Sequence, residues 1–170
     1  MMIPGIMAQR RHGGGPALGT TNIMRDGSYL SHTYGSPFES YTGSPPRINN
    51  GQYLLSSSIV NTGYGRTTFG GPNGVNGGAC EVTFNAPVAL GRFGISAYPD
   101  ACNYVFEARV GGIWITVSTQ ANKSAMDAIS YYDFNNDASV VSDRWRWRIA
   151  SWVSTGNFYA GELEAYKFDA

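Results

Sequence analysis

The sequence predicts an all-β fold, an antiparallel β-sandwich that follows an extended N-terminal arm. Residues 144–149 alternate strictly between arginine and a large apolar side chain, which is the period of a half-buried strand. Further alternating segments run from residue 79 to the C-terminus, with turn residues between them. No helical pattern alternates with these strands, so the sequence favours a sandwich over an α/β sheet.

The strands of this regular region can be assigned in order. The first begins at residue 79, and Pro87 is expected to end it because proline has no N–H for the ladder. Strands follow at 93–97 and 104–110, and Gly111 and Gly112 then predict a two-residue hairpin turn. The remaining elements are a return strand at 113–118, a polar stretch with helical character at 122–129, a strand at 131–134 and closing strands at 144–152 and 159–168.

The N-terminal half is less regular. Residues 1–25 are predicted to form an arm, because a short apolar tip and two arginines precede a Gly-rich stretch at 12–16. A terminus of this kind is ordered when a partner holds it, so we expect the arm to dock on another protein. Residues 26–78 are rich in turn signals, and only 52–60 looks like a strand. The predicted domain organisation is the arm, then a single sandwich at 26–170.

The composition limits the possible partners. Charged residues make up 14% of the chain, against roughly 25% in typical soluble domains, which favours an extracellular, virion or assembly protein. The net charge is zero, so no overall field draws the protein to nucleic acid or to an anionic membrane. No apolar run reaches the roughly 18 residues of a membrane span. Pro4 and Gly5 interrupt the apolar N-terminus, which therefore differs from a signal peptide.

Four segments of the regular region carry a family resemblance: CEVTFNAPVALGRFGISAY, YVFEARVGGIWITVST, DRWRWRI and AGELEAYKF. Their order resembles the discoidin, or coagulation factor 5/8 type C, branch of the galactose-binding-like jelly rolls. The resemblance extends over residues 79–168. The matching positions are Tyr104, Glu107, Gly112, Trp114 and Val117 in the hairpin, 147–149 in the aromatic-Arg-Ile strand and 162–164 in the closing Glu-Leu-Glu.

The chain departs from the family pattern at positions that matter for ligand binding. Gly111 stands where the family usually has an aspartate, and the step from Gly112 to Trp114 is one residue shorter than the pattern. The family's N-terminal ligand loop has only Asp26-Gly27 as a partial counterpart, with no tryptophan before Trp114. We therefore carry no family ligand residue over to this chain.

The resemblance implies a non-enzymatic binding domain. Such domains bind carbohydrates or lipid head groups, and they recur in the tail, baseplate and fibre proteins of bacteriophages. Together with the arm, this predicts a structural or adsorption protein of a phage virion, assembled in the host cytoplasm in several copies and without a cofactor. The arm residues expected to insert into a neighbouring virion protein are Ile3, Ile6, Met7, Arg10 and Arg11. The alternative is a free carbohydrate-binding module.

The candidate glycan site is a Gly- and Asn-rich loop with the residues just before it. Sugars are bound by an aromatic face under the CH groups of the ring and by amides or arginine on the hydroxyls, and this stretch supplies both. Host surface glycan is the expected ligand. The candidate residues are Asn61, Tyr64, Arg66, Phe69, Asn73 and Asn76. An ordinary long sandwich loop is the alternative interpretation.

The arginine strand has a binding and a structural interpretation. A single-stranded nucleic acid needs aromatic and cationic side chains that reach the same ligand, but Trp145 and Trp147 point away from the arginines of their own strand. We therefore predict that both tryptophans, with Ile149, fill the core. The arginines are expected to pair with carboxylates on neighbouring strands, the candidates being Glu107, Glu162 and Glu164.

Little in the sequence indicates catalysis. Glu162 and Glu164 share a strand face about 7 Å apart, a separation that some glycosidases use. Nearby arginines would keep both carboxylates ionised, which does not suit a general acid. His12 and His32 lie outside the regular region, so no nucleophilic triad and no zinc site can be assembled.

Two further features have two interpretations each. Cys80 and Cys102 are compatible with a disulfide or with two buried thiols. A polar cluster could hold Ca²⁺ through hard oxygens or form a solvated turn. Its residues are Asp133, Asn135, Asn136 and Asp137.

Overall fold

The computed structural model describes residues 16–34, 38–41, 66–69, 79–98, 102–121, 125–134, 138–152 and 158–169. This part of the chain contains ten strands and no helix, so no helix in it could cross a membrane. The strands are β1 (Tyr29–Tyr34), β2 (Phe38–Tyr41), β3 (Arg66–Phe69), β4 (Ala79–Val88), β5 (Leu90–Tyr98), β6 (Cys102–Val110), β7 (Ile113–Ala121), β8 (Ala125–Asp133), β9 (Ser142–Trp152) and β10 (Phe158–Lys167).

The strands form two five-stranded antiparallel sheets. The first sheet has the order β1-β4-β9-β6-β7, and the second has the order β2-β3-β10-β5-β8. One apolar cluster draws side chains from both sheets, as in a sandwich core. The predicted all-β antiparallel sandwich is confirmed. The largest fully buried side chains of the core are Trp145, Trp147, Tyr104, Tyr132, Phe84, Phe93 and Phe106.

The arginine strand is the centre of the first sheet. β9 pairs with β4 on one side and with β6 on the other. Trp145 and Trp147 are 0% exposed and Ile149 is buried beside them, which confirms the predicted core face. The Trp145 indole N–H donates to the Ser142 carbonyl at 2.9 Å, so this buried polar group is satisfied.

Three sequence predictions about strands are wrong, and one about a turn is confirmed. Within 26–78 only 52–60 was expected to be a strand, but β1, β2 and β3 lie there, because short strands among turn residues show no clear period. The predicted helical stretch at 122–129 belongs largely to β8, because pairing with β5 and burial of Tyr132 outweigh local propensity. Pro87 does not end β4, since pairing with β9 is interrupted between Thr83 and Val88 and the missing N–H is tolerated there. Gly111 and Gly112 form the predicted hairpin turn with φ values of 58° and 84°, a region that favours glycine.

The chain segment before β1 covers an edge of the second sheet. β3 pairs with only the first residues of β10, from Phe158 to Ala160. Farther along β10 the N-terminal segment takes its place, because the Ile23 and Gly19 N–H groups donate to the Ala165 and Lys167 carbonyls at 2.9 Å. Ile23 and Met24 are buried in the core cluster.

The N-terminal segment corrects the predicted arm boundary. Residues 16–25, which the sequence analysis placed in the arm, are tied to the sandwich by backbone hydrogen bonds and by core packing. This packing cannot be read from the sequence, because two apolar residues among turn signals show no strand period. The arm residues Ile3, Ile6, Met7, Arg10 and Arg11, and the strand-like stretch 52–60, lie outside the described residues.

The alternating strand directions give the sandwich two distinct ends. β1, β3, β5, β7 and β9 finish at one end, where β4, β6, β8 and β10 begin. We call this the loop end. The hairpin turn at Gly111 and Gly112 and the bridge between Leu18 and Phe168 lie at the opposite end.

Cys80 does not form a disulfide. Cys80 is a buried free thiol, and burial raises its pKa above the ordinary range. Its backbone faces Trp147 on β9, whereas that of Cys102 faces Trp152 farther along the same strand. A buried protonated thiol acts as a small apolar side chain.

β1 carries a titratable pair that makes stability depend on pH. The Tyr29 hydroxyl hydrogen-bonds to His32 Nδ1, and burial raises the pKa of Tyr29 to about 12. Burial lowers the pKa of His32 below its usual 6.5. The folded state therefore favours the neutral imidazole, and the unfolded chain binds more protons between the two pKa values.

We expect the free energy of unfolding to decrease as the pH falls below about 6.5, the pKa of histidine in the unfolded chain. Above that pH the stabilising contribution of the neutral His32 is fully present. Urea denaturation of the parent chain and of His32→Gln between pH 5 and pH 8 checks this. The variant should show the smaller change in unfolding free energy across this range. Equal pH dependence in both proteins would contradict the assignment to His32.

Candidate ligand-binding surface

The predicted glycan residues fall only partly within the described chain. Arg66 and Phe69 are the first and last residues of β3, where they face Tyr41 and Phe38 of β2. Because β3 finishes at the loop end, the segment that follows Phe69 starts there. The structure thus gives the position of β3. The roles of the Arg66 and Phe69 side chains in sugar binding remain predictions. The other candidates, Asn61, Tyr64, Asn73 and Asn76, lie outside the described residues.

The carboxylates considered for catalysis lie on the outer face of the second sheet. Leu163 and Ala165 belong to the core, so Glu162 and Glu164 point the other way. Arg25 binds Glu162, which is 0% exposed. The predicted pairing of both glutamates with β9 arginines is wrong, because β9 belongs to the other sheet.

Glu164 is held by two tyrosines. The hydroxyls of Tyr131 and Tyr166 donate to Glu164 Oε2 at 3.0 Å and 2.6 Å. Burial, and then the hydrogen bond to Glu164, raises the pKa of Tyr166 above its ordinary value. Glu162 is inaccessible to solvent, and Glu164 already accepts two hydrogen bonds. Both carboxylates are therefore placed to stabilise the fold and not to act on a substrate.

Asp133, from the polar cluster that could hold Ca²⁺ or form a solvated turn, forms an ion pair with Arg92. Arg92 Nε donates to Asp133 Oδ1, and this hydrogen bond raises the pKa of Arg92. The Arg92 guanidinium also lies 5.1 Å from the ring centre of Tyr131. No group of three or more His, Cys, Asp or Glu side chains suited to a metal occurs among the described residues. Asn135, Asn136 and Asp137 lie outside them.

The outer face of the first sheet carries the β9 arginines and their carboxylates. Arg146 Nε donates to Glu107 Oε2 at 2.6 Å, and Arg148 Nε donates to the same oxygen at 3.0 Å. The predicted role of Glu107 is confirmed. Arg144 Nε donates to Glu81 Oε1 at 2.6 Å. Glu81 was not among the predicted partners, because strand periodicity does not show that β4 lies beside β9.

A tryptophan from β7 lies on the same face. The Arg146 guanidinium carbon is 4.2 Å from the ring centre of Trp114, and that of Arg109 is 5.9 Å away, both within cation–π range. Trp114 is partly exposed. We call Arg109, Trp114, Arg144, Arg146 and Arg148 the arginine–tryptophan surface.

This surface was not predicted, although part of it could have been. The aromatic residues of β9 itself do not share a face with its arginines. The aromatic side chain comes from β7, and the two-residue turn of the β6–β7 hairpin places Arg109 opposite Trp114. The hairpin register was therefore available from the sequence, but the position of β9 beside β6 was not.

Sequence comparisons give no match: no protein-family model matches the chain, and no curated protein does. Solved structures do match. A family 32 carbohydrate-binding module (CBM32-6) from Clostridium perfringens aligns with a TM-score of 0.54 at 12% identity, over 86% of this chain and 99% of that chain. The family 32 module of C. perfringens NanJ, solved in complex with galactose, aligns with a TM-score of 0.51 at 14% identity, over 82% and 98%.

A third match is the family 32 module of AlyQ, solved in complex with 4,5-unsaturated mannuronic acid. It aligns with a TM-score of 0.55 at 14% identity, over 84% of this chain and 96% of that chain. At these identities the likeness establishes the fold. The chain has the discoidin-like, galactose-binding-like β-sandwich fold, as its strand order predicted.

Proposed function

We propose that this protein binds carbohydrate as a non-catalytic module. The observation that carries the proposal is the extent of the structural match, since the sandwich aligns with nearly the whole length of modules named as carbohydrate-binding. Two of these modules were solved with a sugar bound. The inaccessible Glu162 and the occupied Glu164 support a binding role over hydrolysis.

The structure-based matches favour the carbohydrate-binding module over the phage virion role. The virion role depended on an N-terminal arm, and residues 16–25 of that arm belong to the sandwich. Its remaining residues lie outside the described chain. Attachment to a virion therefore stays a prediction without a structural observation behind it.

We place the sugar site at the loop end, next to the end of β3. The strands of both sheets meet there, so side chains that are distant in sequence can converge on one ligand. Phe69 would contact the sugar ring, and Asn73 and Asn76, which follow it in the chain, would bind the hydroxyls. The other three candidates are not part of this placement, because Arg66 begins β3 at the other end of the strand and Asn61 and Tyr64 precede it in the chain.

A glycan array followed by calorimetry on the intact chain tests the proposal. We expect binding to at least one neutral glycan, weakened roughly tenfold or more by Phe69→Ala, which corresponds to about 1.4 kcal/mol. Ile113→Ala is the control, because this apolar side chain is exposed at the opposite end of the sandwich. Absence of binding to every glycan would refute the function, and unchanged binding by Phe69→Ala would refute the site.

A further inference from the structure

We propose that the arginine–tryptophan surface is a second binding site, specific for acidic glycans that carry carboxylate or sulfate groups. It lies apart from the sugar site at the loop end. Arg109 and Trp114 flank the hairpin turn at the opposite end of the sandwich, on the outer face of the first sheet. The inference therefore does not depend on where neutral sugars bind.

The charge of this surface favours an acidic ligand. Among the described residues, four arginines of this surface face two glutamates, Glu81 and Glu107, so positive charge is in excess in a chain whose net charge is zero. Glu107 is 5% exposed and serves two guanidinium groups with one carboxylate. Arg109 forms no ion pair within the described part of the chain and contacts the Trp114 ring instead.

The surface also has hydrogen-bond donors that are available to a ligand. Arg146 and Arg148 each reach Glu107 through Nε, as far as the described chain shows. Their terminal nitrogens are left to bind other acceptors, and both side chains are partly exposed. A guanidinium presents paired N–H groups that match the oxygens of a carboxylate or sulfate group.

The Arg146 side chain of this surface is held in place before any ligand binds. Arg146 is fixed between Glu107 and the Trp114 ring, and the strand that carries it is the central one of the sheet. A ligand that binds a side chain already held in place costs less conformational entropy than one that must order it. The partly exposed Trp114 indole adds an apolar surface for a sugar ring beside the cations.

A glycan fits this surface better than a nucleic acid does. Single-stranded nucleic acids stack successive bases on several aromatic side chains along a basic groove. Trp114 is the one aromatic ring in contact with the arginines of this face among the described residues. The absence of net charge also removes the long-range attraction on which nucleic-acid binding depends.

The test measures binding of the intact chain to three hexasaccharides, namely a heparin-derived sulfated one, hexagalacturonate and a neutral galactan. We expect the acidic probes to bind and the binding to weaken as the salt concentration rises. Arg109→Gln should weaken it roughly threefold or more, and Trp114→Ala roughly tenfold or more. The sulfated and carboxylated probes identify which acidic group is preferred.

The matched control is Arg92→Gln, which removes the same charge from the opposite face of the sandwich and should change affinity less than about twofold. Arg109 has no ion pair to lose among the described residues, so its variant tests the site even if other arginine variants fold poorly. Three results would overturn the proposal: no binding to either acidic probe, equal loss with Arg92→Gln, or tighter binding to single-stranded oligothymidylate. If Phe69→Ala abolished binding of the acidic probes and Arg109→Gln and Trp114→Ala did not, the proposed second site would be wrong, while carbohydrate binding at the loop end would stand.

Discussion

Replacement of Trp147 by alanine is expected to lower the free energy of unfolding by about 3–5 kcal/mol. The indole is fully buried at the centre of the first sheet, with its ring centre 5.3 Å from that of Tyr104. Its removal leaves a cavity between two sheets that cannot close around it, because β9 is fixed by strands on both sides. Urea denaturation, with a check that the m-value is unchanged, measures the loss.

Trp114→Ala is the matched control for this experiment. It removes the same side chain from the same sheet, but from the outer face, where the indole is partly exposed. We expect it to cost roughly 1 kcal/mol or less. Similar losses for the two variants would show that the assignment of inner and outer faces is wrong.

The second large effect is expected at Ile23. This side chain is fully buried in the core, so Ile23→Ala should lower the unfolding free energy by about 2–5 kcal/mol. Leu30→Ala is the control, because Leu30 is 64% exposed and its truncation should change stability by about 0.5 kcal/mol or less. If Ile23→Ala left the unfolding free energy almost unchanged, residues 16–25 would belong to a peripheral arm and not to the sandwich.

Truncation extends the same test to the whole segment. A chain that starts at residue 16 keeps the backbone bonds to β10 and the packing of Ile23 and Met24. A chain that starts at residue 26 loses both and leaves part of the β10 edge unpaired. We therefore expect the longer chain to melt at a clearly higher temperature than the shorter one.

The alternation of apolar and polar residues predicted most strands of the regular region, because it follows directly from which side chains are buried. The alternation around Trp145 and Trp147 identified an inner and an outer face, and the structure has both. Propensity was less reliable, since the polar stretch before Tyr131 resembles a helix until its pairing with β5 is known. Ile23 and Met24 show no period at all, and only the tertiary structure reveals that they are core residues.

Ion pairs were harder to predict than strands because they depend on which strands are neighbours. The sequence suggested that Glu107 and Glu162 would both meet β9 arginines. β6 lies beside β9 in the first sheet, but β10 belongs to the second, so only Glu107 does. Arg25 binds Glu162 from a segment with no recognisable strand pattern.

The bridge between Leu18 and Phe168 determines how the domain can be oriented. The two residues pair as antiparallel neighbours, so the polypeptide enters and leaves the sandwich side by side. A Cβ at Gly91 would lie 2.7 Å from Leu18 Cδ1 and 2.8 Å from the Phe168 ring, so this junction is tightly sealed. A tether joined before Leu18 or after Phe168 would hold the domain at the same end of the sandwich. The loop end would then point away from the surface to which the tether is attached.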